Sequence, residues 1–130
     1  MKEIGVALIG YNFMGRAHSN AYRQVRHFFE PRLVPRLKVL CGRNASAVGE
    51  AAARLGFEES ATDWRAVVNR EDIGLVDVST PGDSHAEIAI AAARAGKAVL
   101  CEKPLANTVA EAKAMLKAVT RAGVKDCVAP

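Results

Sequence analysis

Short apolar runs alternate with alanine-rich segments of helical length along this chain. The runs predict strands at 4–9, 37–41, 57–60, 75–79 and 98–101, and 124–128 could begin a sixth. The segments between them predict helices at 15–28, 44–55, 63–68, 85–95 and 108–122. Strands that alternate with helices are typical of a parallel sheet covered on both faces. The predicted fold is therefore α/β, a doubly wound parallel sheet, with one domain over 1–130.

Capping residues support the boundaries of three helices. Asn44 can cap the second helix and Gly56 can end it, while Gly96 can end the fourth. Thr108 stands three residues before Glu111, which is the spacing of a capping box, and Gly123 ends that last helix. Pro31 and Pro35 predict a loop over 30–36 before the second strand.

Apolar stripes indicate which side of each helix is buried. We expect Ala17, Ala21 and Val25 of the first helix to face the sheet. In the fourth helix the stripe is Ile88, Ala91, Ala92 and Ala95, and in the last it is Val109, Ala112, Leu116 and Val119.

Composition excludes several classes of function. Half of the 130 residues are apolar, and the net charge of +4 is spread along the chain, so we expect neither a nucleic-acid partner nor a membrane partner. Cys41, Cys101 and Cys127 stand far apart, which argues against disulfides or a zinc site, and the first two should be buried. With no signal peptide or apolar span, the expected location is the cytoplasm.

A glycine-bounded loop, Gly10-Tyr11-Asn12-Phe13-Met14-Gly15, follows the first strand and opens the first helix. The backbone N–H groups of such a loop and the positive helix terminus favour a pyrophosphate. Asn12 replaces the middle glycine of the usual pattern, although Asn tolerates unusual backbone geometry and can donate a hydrogen bond. The alternative is a turn that is purely structural.

The end of the second strand carries Cys41-Gly42-Arg43-Asn44, with no acidic residue to accept bonds from a free ribose 2′-hydroxyl. The guanidinium of Arg43 suits a 2′-phosphate, which favours NADP over NAD. In the alternative interpretation, Arg43 is a solvated charge and Asn44 is only a helix cap.

Two later strands end on the same edge of the sheet. Thr80-Pro81-Gly82 can line the nicotinamide side, and His85 could be a general base, although a structural role is the commoner one. Glu102-Lys103-Pro104 follows the fifth strand. Lys103 is the best catalytic candidate, because its ammonium could bind a substrate hydroxyl and stabilise alkoxide character during hydride transfer.

These motifs together resemble the Gfo/Idh/MocA family of NAD- or NADP-dependent oxidoreductases, which act mostly on sugars, cyclitols and related polyols. The resemblance covers the whole chain and rests on GYNFMGRAH, STPGDSH and AGKAVLCEKPLA in the family's order. It implies a Rossmann domain that binds the cofactor. It also implies that Lys103 contacts substrate and cofactor, and that Pro104 follows a cis peptide. The cofactor residues that it implies are Gly10, Tyr11, Asn12, Phe13, Met14, Gly15, Gly42, Arg43, Asn44, Thr80, Pro81, His85, Glu102, Lys103 and Pro104.

Family members continue into a second α/β domain, which binds substrate, often forms the oligomer and supplies an Asp and a His. The resemblance therefore implies that this chain is the cofactor domain of a longer, homo-oligomeric enzyme and is inactive alone. The alternative function is a non-catalytic dinucleotide sensor or interaction module, which should tolerate loss of Lys103.

Overall fold

The computed structural model describes residues 2–128, which form one parallel sheet with helices on both faces. The strands are β1 (Glu3–Ile9), β2 (Val34–Cys41), β3 (Glu59–Ala61), β4 (Leu75–Val78), β5 (Ala98–Cys101) and β6 (Asp126–Val128). The helices are α1 (Phe13–Phe28), α2 (Ala45–Leu55), α3 (Trp64–Val68), α4 (His85–Arg94) and α5 (Val109–Ala122). A 3-10 turn at Gly82–Ser84 precedes α4.

The strand order is β3-β2-β1-β4-β5-β6, and all the pairings are parallel. The chain therefore winds outward from β1 in one direction and then returns to wind outward in the other. In such sheets ligands bind where the order reverses, at the carboxyl ends of the strands. Here that place lies between β1 and β4.

Alternate residues of the strands pack into two cores on opposite faces of the sheet. Leu8 and Leu40 belong to the core under α1 and α2. Ala7, Ile9 and Val39 belong to the larger core under α3, α4 and α5. Both cores are continuous with the strand ends, so they hold the loops of the carboxyl edge in place.

The predicted fold and most helix boundaries are confirmed. The Asn44 side chain caps α2 by accepting from the Ala47 N–H at 2.9 Å, and Gly56 ends that helix with a φ of 87°. β5 has the predicted bounds. Gly96 and Gly123 follow α4 and α5 with positive φ, as the C-terminal glycines should.

β2 begins earlier than predicted, at Val34, and runs through Pro35. Pro35 is tolerated because β3 pairs only with Val39–Cys41, so the neighbouring edge of β2 needs no donor at Pro35. The short strands also shift: β3 spans Glu59–Ala61 and β6 spans Asp126–Val128. The expected loop over 30–36 is therefore shorter than predicted.

The prediction that Ala17, Ala21 and Val25 face the sheet is wrong for α1. Ala17 and Ala21 are exposed, Val25 is half-buried, and the buried positions are Gly15 and Ser19. The face toward the sheet carries polar side chains because they contact polar groups of the sheet. The alanine side chains are small, so their burial would add little to the free energy of folding.

The stripe predicted for α5 is also partly wrong. Val109 is 71% exposed and Leu116 is 63% exposed, whereas Met115, Ala118 and Val119 are buried. The helix is therefore rotated so that Met115 enters the core. Val109 and Leu116 leave an apolar surface on α5.

Cys41 and Cys101 are buried, as predicted. Burial, with a contribution from the charge of Asp63, raises the pKa of the Cys41 thiol to about 11. Burial and then the charges of Asp77 and Glu102 raise the pKa of Cys101 to about 12. Within residues 2–128 no helix has the length and apolar character needed to cross a membrane.

The capping box of α5 gives a stability test. The Thr108 hydroxyl accepts from the Glu111 N–H at 3.1 Å, and the Glu111 carboxylate accepts from the Asn107 N–H at 3.2 Å. We expect Thr108→Ala to lower the free energy of unfolding by about 1 kcal/mol, because the Glu111 N–H loses its acceptor. Thermal unfolding should show a melting temperature lower by about 4 °C.

Thr120→Ala is the matched control, because Thr120 is exposed in the same helix. It should leave the melting temperature unchanged or raise it slightly, since alanine is the better helix former. Equal losses in the two variants would contradict a capping role for Thr108.

Candidate functional site

Four strand ends line up at the carboxyl edge of the sheet, because the backbone hydrogen bonds continue one residue past the strands. The Gly10 N–H donates to the Cys41 carbonyl at 2.9 Å. The Ser79 N–H donates to Ile9 at 2.8 Å, and the Glu102 N–H donates to Val78 at 2.9 Å. The loops that begin at Gly10, Gly42, Ser79 and Glu102 are therefore neighbours.

Two glycines let the first of these loops pass close to its surroundings. Gly10 has a φ of 97°, and a Cβ there would lie 2.6 Å from the Ser79 carbonyl oxygen. A Cβ on Gly15 would lie 2.5 Å from the Gly10 carbonyl oxygen. Both contacts are shorter than any side chain permits, so the loop requires glycine at both ends.

Side chains cap three of the five helices, whereas α1 and α4 have no side-chain cap within residues 2–128, and the first turn of α4 carries the acidic Glu87. Asn44, Asp63 and Thr108 cap α2, α3 and α5 with their side chains. Within residues 2–128, nothing equivalent caps α1: the Asn12 side chain makes no capping bond, and the first turn carries no acidic residue. The first N–H groups of α1 and the positive end of its dipole are therefore available to an anion.

A cavity of about 290 Å³ lies beside this loop, between the ends of β1, β2 and β4. Seven of the predicted cofactor residues line it: Gly10, Tyr11, Asn12, Gly42, Arg43, Thr80 and Pro81. The prediction missed Thr62, Trp64, Ser84 and Ile88, which also line it. Trp64 lies after β3, too far along the chain for any local motif to link it to this loop.

Tyr11 and Gly42 are in close contact at one wall of the cavity. A Cβ on Gly42 would lie 2.2 Å from a ring carbon of Tyr11, so the ring needs glycine there. Arg43, the next residue, is exposed and lines the same wall. Asn44 lies outside the cavity lining, and its side-chain oxygen caps α2.

The remaining predicted residues lie around the cavity rather than in its lining. His85 is buried, with Nδ1 2.8 Å from the Pro104 carbonyl oxygen and Nε2 2.6 Å from the Thr80 carbonyl oxygen. This ring joins the loop after β4 to the loop after β5. Lys103 is exposed, and its peptide bond to Pro104 is cis. Phe13, Met14, Gly15 and Glu102 also lie outside the lining.

A buried polar cluster beneath the loops was not predicted. Asp77, in the middle of β4, is fully buried, and its Oδ2 accepts from the Tyr22 hydroxyl at 2.7 Å and lies 2.8 Å from His18 Nδ1. The hydrogen bond to Asp77 raises the pKa of His18 above its ordinary value, and the charge of Glu102 adds to the effect against the opposing effect of burial. The signal in the sequence is Asp77 itself, a charged residue inside an apolar strand.

Comparisons with known proteins show the family to which this chain belongs. The family model described as an oxidoreductase family with an NAD-binding Rossmann fold matches residues 4–129. Levoglucosan dehydrogenase of Pseudarthrobacter phenanthrenivorans is 49% identical over 99% of this chain, which spans 33% of that relative. D-apiose dehydrogenase of Paraburkholderia graminis is 34% identical over 95% of this chain, which spans 31% of it.

Solved structures show the same relation. A levoglucosan dehydrogenase in complex with NADH is 48% identical, with a TM-score of 0.95 over 98% of this chain and 34% of its own. An oxidoreductase domain protein from Kribbella flavida is 59% identical, with a TM-score of 0.94 over the same shares. The chain spans about a third of the length of these relatives, and it belongs to the Gfo/Idh/MocA oxidoreductase family, whose NAD-binding Rossmann domain it forms.

Proposed function

We propose that this chain binds a nicotinamide dinucleotide across the carboxyl edge of its sheet and serves as the cofactor domain of a longer oxidoreductase. The observation that carries the proposal is the uncapped N-terminus of α1, which opens beside the cavity at the point where the strand order reverses. Backbone N–H groups at such a terminus bind pyrophosphate without any charged side chain.

The residues of the site fit the parts of a dinucleotide. The loop 10–15 would hold the pyrophosphate, and the cavity between Gly42, Arg43 and Trp64 would hold the adenosine. Thr80 and Pro81 would line the nicotinamide side, with Lys103 at the neighbouring strand end. When bound, the nicotinamide supplies or accepts the hydride.

We propose that Arg43 makes NADP the preferred cofactor. Arg43 is exposed at the cavity wall, and no ion pair engages its guanidinium within residues 2–128. No acidic side chain follows β2 to accept bonds from a 2′-hydroxyl. NAD is the competing cofactor, since the structure of the similar levoglucosan dehydrogenase contains NADH.

The reaction that we propose is hydride transfer between the nicotinamide and a sugar, cyclitol or related polyol. The names of the relatives, which include an inositol 2-dehydrogenase of Salmonella typhimurium at 28% identity, support this substrate class. The Lys103 ammonium would donate a hydrogen bond to the substrate oxygen and stabilise its alkoxide character. His85 would serve as the structural bridge between the two loops at this end of the site.

A second domain would orient the substrate and accept its proton, so we propose that the 130-residue chain alone does not turn over substrate. The share of the relatives that the chain spans supports this proposal. We further propose that the full-length protein is a homo-oligomer in the reducing cytoplasm, where buried thiols such as Cys41 and Cys101 stay free.

The cofactor preference is tested by titrating NADPH and NADH separately. The chain has one tryptophan, Trp64 in the cavity lining, so its fluorescence reports binding. We expect NADPH to bind more tightly than NADH. Arg43→Ala should weaken NADPH binding about 10- to 100-fold, because a charge-assisted bond to the 2′-phosphate is lost, and should leave NADH binding unchanged.

Arg54→Ala is the control, because it removes the same charge from the exposed far end of α2. Its affinity for NADPH should stay within about twofold of the parent, as expected for a distant and screened charge. Equal affinity of the parent for both cofactors, or an unchanged NADPH affinity in Arg43→Ala, would contradict the role of Arg43.

The catalytic role of Lys103 is tested in the full-length gene product. We expect Lys103→Ala to lower kcat with a panel of polyols by about 100-fold or more, because the donor to the developing alkoxide is lost, with little change in cofactor affinity. Lys113→Ala, at an exposed position of α5, should leave kcat unchanged.

A dinucleotide sensor would tolerate Lys103→Ala, so an unchanged response in that variant favours the alternative function. The 130-residue chain should show no turnover in the same assay. Steady oxidation of any polyol by it would overturn the proposal that a second domain is required.

A further inference from the structure

The polar cluster beneath the loops joins three elements of the cofactor site. We call it the His18 cluster: His18 and Tyr22 of α1, Asp77 of β4, Ser79 just after β4, and Glu102 just after β5. His18 lies in the second turn of the helix that begins at the phosphate loop. Glu102 directly precedes Lys103. The cluster is therefore the connection between the helix that binds the dinucleotide and the residue that would meet the substrate.

Asp77 is the fixed end of the cluster. Its Oδ2 accepts from the Tyr22 hydroxyl at 2.7 Å and faces His18 Nδ1 at 2.8 Å, and its Oδ1 accepts from the Ser79 hydroxyl at 3.1 Å. Three donors converge on a fully buried carboxylate, which only accepts hydrogen bonds. Nδ1 of His18 therefore carries a proton.

Glu102 forms the other end of the His18 cluster. Its Oε2 lies 2.9 Å from His18 Nε2, and the Glu102 side chain is 7% exposed. The contact is an ion pair rather than a well-aligned hydrogen bond, and Oε2 has no hydrogen-bond partner elsewhere in residues 2–128. The other oxygen, Oε1, accepts from the Lys103 backbone N–H at 3.3 Å.

The imidazole of His18 thus lies between two carboxylates. An unprotonated Nε2 would set a lone pair against the Glu102 oxygen at 2.9 Å, and Glu102 would be left buried without a cation. An imidazolium donates from Nδ1 to Asp77 and places its positive charge beside Glu102, so both carboxylates have a partner. Asp77, Tyr22 and Glu102 are the titratable groups that face the ring from α1, β4 and the loop after β5, and Lys103 follows Glu102.

We propose that His18, held as an imidazolium between Asp77 and Glu102, is a positioning residue that fixes Lys103 relative to the phosphate loop. The importance of Lys103 for catalysis rests on the proposed function, but the role of His18 in positioning Lys103 does not. The chain of contacts runs from α1 through His18 to Glu102 Oε2, and from Glu102 Oε1 to the backbone of Lys103.

Protonation makes this link dependent on pH. Because the pKa of His18 is raised above its ordinary 6.5, the imidazolium and its stabilising effect are fully present below that value. They are lost as the pH rises through the folded-state pKa. Above it, Glu102 loses the positive charge beside its Oε2, and the Lys103 N–H, which donates to Oε1, loses its link to α1.

Nuclear magnetic resonance of the 130-residue chain tests the link without substrate or cofactor. We expect the His18 ring protons to titrate with a midpoint above 6.5. The amide proton of Lys103 should shift with the same midpoint, because Glu102 joins the two. A ring that only fills space would not move the Lys103 amide in this way.

Two variants and a control sharpen the test. His18→Gln should abolish the step in the Lys103 amide shift. Glu102→Gln keeps the Asp77 pair and the fold, and it should lower the His18 midpoint and shrink the step. His27→Gln is the matched control, since His27 is exposed near the end of the same helix, and it should leave the Lys103 titration unchanged.

The proposal is overturned if the Lys103 amide shows no step at the His18 midpoint, if the step persists in His18→Gln, or if the parent midpoint lies at or below 6.5. If His18→Gln fails to fold, the Glu102→Gln result decides. Titrating NADPH and NADH against the same samples tests the proposed function separately. Absence of binding would refute that function, whereas the Lys103 titration would still decide the role of His18.

Discussion

The close approach of α1 to β1 is the constraint on which the rest of the site depends. With no side chain at Gly15, the helix can begin against the Gly10 carbonyl oxygen, where a Cβ would lie 2.5 Å away. This approach brings α1 close enough to the sheet for His18 and Tyr22 to contact Asp77 on β4. It also places the start of the helix next to Asn12, which lines the cavity. A larger residue at Gly15 would lift the helix and separate all of these contacts together.

Local signals explain why the order of elements was predictable from the sequence. Caps such as Asn44 and Thr108 act within one turn: Asn44 caps α2 as predicted, and the Thr108 bond to Glu111 has the predicted spacing. The glycines that end α2, α4 and α5 have the positive φ that their positions require. The glycine-bounded loop 10–15 and the strand-end motifs could be found for the same reason, since each is contiguous in the chain and the topology brings their strands to one edge.

Contacts between distant residues account for what was missed. The polar face of α1 is buried because Asp77, 55 residues beyond Tyr22, lies opposite it, and a hydrophobic stripe cannot reveal such a partner. Trp64 enters the cavity lining because β3 pairs beside β2. Val109 and Leu116 are exposed because Met115 packs into the core from another side of α5, and only the packing of the folded chain decides which side that is.

The uncapped start of α1 has a thermodynamic consequence for the whole domain. A helix whose first N–H groups have no partner among residues 2–128 is incomplete, and an anion bound there completes it. Only the folded chain presents that arrangement, so binding and folding are linked by mass action. The proposed binding of a dinucleotide at this terminus would therefore make the stability of the domain depend on the concentration of that anion as well as on sequence, and a folded population measured without it would understate the stability of the bound domain.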